Sequence, residues 1–318
     1  MTIQDFPRPA EHPLDVLRAA RNMCGEAGGC ALIFISGTEG GAMRATGAVM
    51  AVSATGDHAG YLSAGCIDSD VKIHAVAAIK SGKLTRLRYG NGSPFIDIKL
   101  PCGGAIDLII CPRPSPDTLD WAIQCLEQRT EVWLTLDNDG VMIPGDAERA
   151  SEAAFSVCYR PPLKVRIAGH GADCLALARL CHASGFVTRI QTPSEDMADY
   201  STANIPAEVE IKRLTARTLP DDHEDDRWTA FVLLFHQHEW EGPLLRQALS
   251  GPAFYIGAVG SRRTHDIRCE ALRSDGYSDA DISRIHGPVG LVPKMRDASM
   301  LAISILAELI TAHHARSQ

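Results

Sequence analysis

Two thiols and two clusters of strand-end polar residues carry most of the chemistry that this sequence could do. Cys66 and Cys102 each stand beside glycine, in Ala64-Gly65-Cys66-Ile67-Asp68 and Leu100-Pro101-Cys102-Gly103-Gly104. Cys66 falls just ahead of an expected helix start, where the dipole and free N–H groups favour a thiolate. A thiolate can ligate a soft transition metal or carry a persulfide, so Cys66 and Cys102 are the metal-ligand candidates. His236 and His238 alternate at an expected strand end, with Glu241 three residues on. That pattern can donate hydrogen bonds to a ligand or, with a third ligand, bind a divalent metal. Gly257, Gly260, Ser261, Arg262 and Arg263 follow another strand and open a helix, an arrangement suited to an anion such as phosphate. His286 and Gly290 lie in a Gly/Pro-rich loop that could close over the same crevice.

The elements that must position these groups fall into two styles. Apolar spacing predicts a helix over Pro13 to Ala27, strands at Cys30 to Ser36 and Gly47 to Ser53, and a hairpin return at Ala59 to Ser63. A helix over Asp68 to Lys80, strands at Leu84 to Tyr89 and Ala105 to Cys111, a helix over Thr118 to Gln128 and a strand at Glu131 to Leu136 follow. This mixture predicts an α+β domain over residues 1–145. Residues 146–162, polar and ending in Pro161-Pro162, read as a linker.

Residues 163–318 read as a Rossmann-like, doubly wound parallel-sheet domain. Lys164 to Ala168 is a short apolar strand, Gly169-His170-Gly171 a tight turn, and an Ala/Leu-rich helix runs through Ser184 into a strand at Phe186 to Gln191. Strands at Thr229 to Phe235 and Ala253 to Ile256 and a helix from Asp297 to His313 complete it. Gly169 and Gly171 match the first two glycines of a dinucleotide fingerprint. Cys174 takes the place of the third, Asp173 would repel an anion, and the strand that should end in an acidic ribose partner ends in Gln191-Thr192-Pro193. NAD(P) binding is therefore the alternative reading rather than the main one.

Of the 318 residues, 45% are hydrophobic and 22% charged, a globular composition, and the formal net charge of −8 argues against nucleic acid as a partner. The N-terminal stretch, Met1 to His12, is polar with two prolines and does not read as a secretory signal. Ten cysteines without a C-x-x-C pair then point to reduced thiols in the cytoplasm. No uninterrupted apolar run approaches ~18 residues, so no membrane span is expected.

Taken in order, several of these segments resemble the XdhC/CoxI family. The Cys66 and Cys102 elements are similar to its Gly-Gly-Cys-Val-Glu and Cys-Gly-Gly elements, and Phe235 to Glu241 to its Thr-His-Asp-His-x-x-Asp stretch. Tyr255 to Arg263 is similar to Tyr-Ile-Gly-x-x-Gly-Ser-Arg-Arg, Ile285 to Leu291 to Ile-His-x-Pro-Ile-Gly-Leu, and Ala302 to Leu309 to the family's closing helix. The resemblance spans roughly residues 30 to 310. It implies a non-catalytic accessory factor that binds molybdenum cofactor through the residues named above, including Gly103. It also implies support for sulfuration by a cysteine desulfurase or sulfurtransferase and delivery to the apo-subunit of a xanthine dehydrogenase-type molybdenum hydroxylase. A homodimer is implied as well, in keeping with the apolar C-terminal helix. Three other readings remain: an NAD(P)-dependent oxidoreductase, a metal-dependent hydrolase built on His236, His238 and Glu241, and a scaffold that recruits a hydroxylase subunit without holding cofactor.

Overall fold

A computed structural model describes residues 11–26, 28–41, 44–94, 103–137, 140–146, 155–194, 205–214, 225–235 and 238–316; the side chains of His238 and Glu239 also lie outside that set. The chain divides into two compact units, Met1–Pro161 and Pro162–Gln318.

The first unit opens with α1 (Pro13–Cys24). The His12 ring nitrogen accepts from the Leu14 N–H, and the helix stops at Gly25 rather than at the glycine pair expected to end it. Strands β1 (Cys30–Glu39), β2 (Val49–Ser53), β3 (His58–Ala59), β4 (Thr85–Gly90) and β5 (Ala105–Pro112) form one antiparallel sheet in the order β3-β2-β1-β5-β4. Helix α2 (Asp68–Ser81) covers one face, burying Val71, Ala75 and Ile79 against Ile33, Ile35 and Leu108. On the other face α1 and α3 (Pro116–Glu127) pack with Leu32, Phe34 and Ile109.

A second sheet shares that core. Strands β6 (Val132–Leu136), β7 (Met142–Gly145) and β8 (Phe155–Tyr159) pair antiparallel in the order β7-β6-β8. Phe155–Tyr159 falls inside the segment expected to be a linker, of which residues 147–154 lie outside the described set. It is a strand because its odd-numbered residues alternate inward: Phe155, Val157 and Tyr159 are buried, and Phe155 lies 5.5 Å from the Phe34 ring.

The second unit holds six parallel strands: β9 (Lys164–Gly169), β10 (Val187–Thr192), β11 (Glu210–Arg213), β12 (Thr229–Leu234), β13 (Tyr255–Ala258) and β14 (Ile285–His286). Their order is β11-β10-β9-β12-β13-β14. Counted from β9 this is 3-2-1-4-5-6, the mononucleotide-pair arrangement of a Rossmann sheet. β11 gave no signal in the sequence, since an edge strand with the pattern Glu-Ile-Lys-Arg buries little. α4 (Ala172–Ala183) and the last helix, α8 (Ala298–Ala315), cover one face; α5 (His238–Ser250) and α6 (Arg262–Ser274) cover the other, and a one-turn helix α7 (Asp279–Ile282) precedes β14.

Helix α8 is long and apolar enough to cross a membrane by length and composition alone, with 18 residues and a mean hydropathy of 1.3. Its Ser304, Glu308 and Thr311 break the apolar run in sequence, yet the window average stays positive. Ala302, Ile305 and Leu309 are buried in the core of the second unit, while Met300, Ile303 and Ile310 are exposed.

Candidate functional site

In the second unit, the candidate residues gather at the carboxyl ends of the strands, where ligands bind in open α/β sheets. β9 leads into Gly169-His170-Gly171, β13 into Gly260-Ser261-Arg262-Arg263, and β14 into the loop from His286 to Gly290. Backbone bonds hold these ends side by side: the Val259 N–H donates to Leu233 O at 3.0 Å, and the Val289 N–H to Ala258 O at 3.1 Å.

The glycines serve different purposes. A Cβ on Gly169 would lie 2.7 Å from Cys174 Sγ and 2.8 Å from Leu234 O, and one on Gly257 2.7 Å from Val289 Cγ2. Both are demanded by packing inside the fold. Gly171 has open space around it but adopts φ 81° and ψ −165°, a conformation essentially reserved for glycine.

The two helix starts along this edge differ in electrostatics. α4 carries Asp173 in its first turn. α6 has no acidic residue there and begins with Arg262 and Arg263, both exposed and making no ion pair among the described residues. Ser261 caps α6, its hydroxyl accepting from the Thr264 N–H at 3.1 Å. The start of α6, preceded by Gly260 at φ 145°, is thus the more favourable end for an anion.

The His286 loop is tied down from within. His286 Nδ1 lies 3.0 Å from Glu308 Oε1, the Gly290 N–H donates to the other oxygen of the same carboxylate, and the His286 ring stacks on Tyr255 at 4.5 Å. Burial works to raise the Glu308 pKa, but the hydrogen bonds from His286 and Gly290 hold it below the ordinary carboxylate range.

In the first unit, Cys66 is exposed in the turn leading into α2. Ser63 Oγ organises that turn, accepting from the Gly65 N–H at 3.0 Å and donating to Asp68 Oδ1 at 2.9 Å. Asp68 is buried and its second carboxylate oxygen, Oδ2, has no partner among the described residues. Tyr89 Oη donates to Asp70 Oδ2 at 2.5 Å. That bond sets the first turn of α2 against the end of β4, where Gly90 and Gly104 approach so closely that a Cβ on Gly90 would overlap Gly104 O. Gly103, at φ 67°, enters β5 at this same end of the sheet. Cys102 itself lies outside the described residues, as does His236, and of His238 only the backbone is described.

Residues 165–309 match the family described as "XdhC Rossmann domain", and residues 24–90 match "XdhC and CoxI family". A curated protein of Escherichia coli (strain K12), "Molybdenum cofactor insertion chaperone PaoD", is 34% identical over 298 residues, covering 92% of this chain and 86% of its own length. The chain belongs to the XdhC/CoxI family. A crystal structure described as a xanthine dehydrogenase from Bacillus halodurans is 19% identical, with a TM-score of 0.77 and coverage of 95% of this chain and 96% of the other, and it shares the fold.

For this XdhC/CoxI chain the fold class expected from the sequence holds, an α+β unit followed by a Rossmann-like parallel sheet. One member of the proposed metal-hydrolase triad is reassigned. Glu241 is buried and paired with Arg268 Nε, while Arg268 Nη2 donates to Val259 O at 2.9 Å. Glu241 therefore braces α5 and α6 against the end of β13. Among the described residues no three His, Cys, Asp or Glu side chains form a metal-binding group. At the end of β10, Gln191 and Thr192 are buried and offer no carboxylate, so the ribose partner of a dinucleotide is lacking there too.

Sequence reasoning passed over Glu308, Arg268, Tyr89 and Asp70, which hold the candidate residues in place. Only Glu308 had a visible signal, a single acid in a strongly apolar helix. His170 was named only as a turn residue, yet its ring meets Phe235 edge-on at 5.9 Å, and Phe235 stacks on Trp240 at 5.8 Å.

Proposed function

We propose that this chain is a molybdenum cofactor insertion chaperone, a non-catalytic accessory factor whose cargo is the cofactor and whose client is the apo-subunit of a xanthine dehydrogenase-type molybdenum hydroxylase. The observation that carries this reading is the 34% identity, across 92% of the chain, to a relative whose name states that role. The geometry supports it. Molybdopterin bears a phosphate, and the start of α6 offers free N–H groups, Arg262 and Arg263 with no opposing acid in its first turn. Ser261, Gly257, Gly260, His286 and Gly290 shape the same strand-end edge, with Gly169 and Gly171 at its β9 end. Cys66, exposed and glycine-flanked, is suited to ligate molybdenum, and we assign Cys102, Gly103, His236 and His238 to cargo binding with it.

On this reading a cysteine desulfurase or sulfurtransferase supplies the sulfido ligand while the chaperone holds the cofactor. The protein works in the cytoplasm as a homodimer. Met300, Ile303 and Ile310, exposed on α8, support pairing of two copies. Light scattering at micromolar concentration tests the dimer, and a species of only 34.3 kDa rejects it.

The deciding experiment is co-expression with molybdopterin synthesis, followed by pterin measurement per purified chain. Wild type retains cofactor, and Cys66→Ala and Cys102→Ala retain less. Equal retention in all three removes the thiols from the binding argument, and absence of pterin from the wild type rejects cofactor carriage.

A further inference from the structure

A different pair of cysteines, in the first unit and apart from the groups assigned to the cofactor, forms a compact chemical site. Cys24 is the last residue of α1, and Cys30 is the first of β1. Their sulfurs lie 3.0 Å apart. Cys24 is partly exposed, whereas Cys30 is buried with its sulfur 3.3 Å from Ala20 O. The Sγ–Sγ gap exceeds a disulfide bond by only about 1 Å, and both thiols are free in the structure.

We propose that Cys24 and Cys30 are a redox-active dithiol that small-molecule disulfides convert to an intramolecular disulfide. Cys24 is the attacking sulfur and Cys30 the resolving one. The environment divides the roles. The hydrogen bond from Cys30 lowers the Cys24 pKa, burial opposes it, and the Arg21 cation adds to the lowering. The Cys30 pKa is raised, first by the same Cys24 contact and then by burial. When the pair ionises, the thiolate therefore forms on the accessible sulfur while the buried one keeps its proton, as nucleophilic attack requires.

The exchange balances. The Cys24 thiolate attacks one sulfur of the small disulfide, the S–S bond breaks, and one small thiolate departs, leaving a mixed disulfide on Cys24. Capping Cys24 removes the charge that held the Cys30 proton. Cys30 gives that proton to the departing thiolate and attacks Cys24 Sγ, and the second small group leaves as a thiolate that takes up from solvent the proton Cys24 released on ionising. Two protein thiols are oxidised, one small disulfide is reduced to two thiols, and the thiol protons end on the products. The new bond closes a short loop through Gly25, Gly28 and Gly29, fastening the end of α1 to the start of β1.

The test uses full-length protein and oxidised glutathione. After incubation, alkylation of remaining thiols and trypsin digestion, both cysteines fall on one peptide, Asn22 to Arg44, which contains no other cysteine. The wild-type peptide should lose two hydrogens and escape alkylation, and reduced glutathione should reverse the change. Cys30→Ser should accumulate the glutathione adduct on Cys24, and Cys24→Ser should leave Cys30 unmodified. A wild-type peptide that stays fully alkylated while exposed Cys66 is glutathionylated overturns the proposal, and this arm needs no variant to fold. An adduct on Cys30 in Cys24→Ser as abundant as that on Cys24 in Cys30→Ser overturns the assigned roles.

Discussion

His286 Nδ1 and Glu308 Oε1 lie 3.0 Å apart, joining the glycine-rich loop after β14 to the middle of α8. The Gly290 N–H completes the clasp on the same carboxylate. Because Glu308 titrates below its ordinary range in the folded chain, its contribution is fully present above the unfolded pKa of about 4.3 and is lost as pH falls through the lower folded value. Glu308→Gln should therefore cost about 1–3 kcal/mol at neutral pH. Urea unfolding of both proteins at pH 7 and at pH 3 checks this, and the gap between them should narrow at the lower pH.

Arg262 and Arg263 should separate binding from stability. Both are exposed and make no ion pair among the described residues, so the double change Arg262→Ala/Arg263→Ala should leave unfolding free energy within about 0.5 kcal/mol of wild type. Pterin retained per chain should fall markedly in the co-expression assay. Retention at the wild-type level would move the phosphate contact away from the start of α6.

Glu241 and Arg268 make the opposite case. Both side chains are almost wholly buried, 9% and 2% exposed. Arg268→Met strands a carboxylate inside the domain and should cost about 3–5 kcal/mol. Adding Glu241→Gln should recover much of that loss, which a double-mutant cycle in urea would measure.

Gly169→Ala should destabilise by about 1–3 kcal/mol through overpacking, because the new methyl meets Cys174 Sγ and the Leu234 carbonyl. Thermal unfolding reads the cost directly. Cys174→Ala, combined with Gly169→Ala, should relieve only part of it, since Leu234 O is backbone and cannot withdraw.

Much of this layout could be read from residue order. The apolar pattern of β1, the Asp68 start of α2 and the strand–turn–helix at Gly169 follow local rules of burial and capping, and the structure has them at nearly the expected residues. The boundaries that moved did so for tertiary reasons. Phe155–Tyr159 looks unremarkable alone and becomes a strand because β6 offers an edge and Phe34 a ring to pack on. Glu241 had metal-ligand spacing from two histidines, yet Arg268, 27 residues later, claims it. Spacing along a chain reports which side chains lie near each other locally, and a partner from another helix is invisible to it.

By itself, the sequence determined the two styles of architecture, the family elements in their order, and the chemistry on offer: glycine-flanked thiols, paired arginines and strand-end histidines. These are local properties, written in residue type and period. Only the tertiary structure decided that Gly169 serves packing, that Glu308 clasps the His286 loop, and that Cys24 and Cys30 face one another at 3.0 Å. Each is a contact between a loop or element end and its surroundings, and its geometry is set by how whole layers pack, which no short stretch of residues encodes.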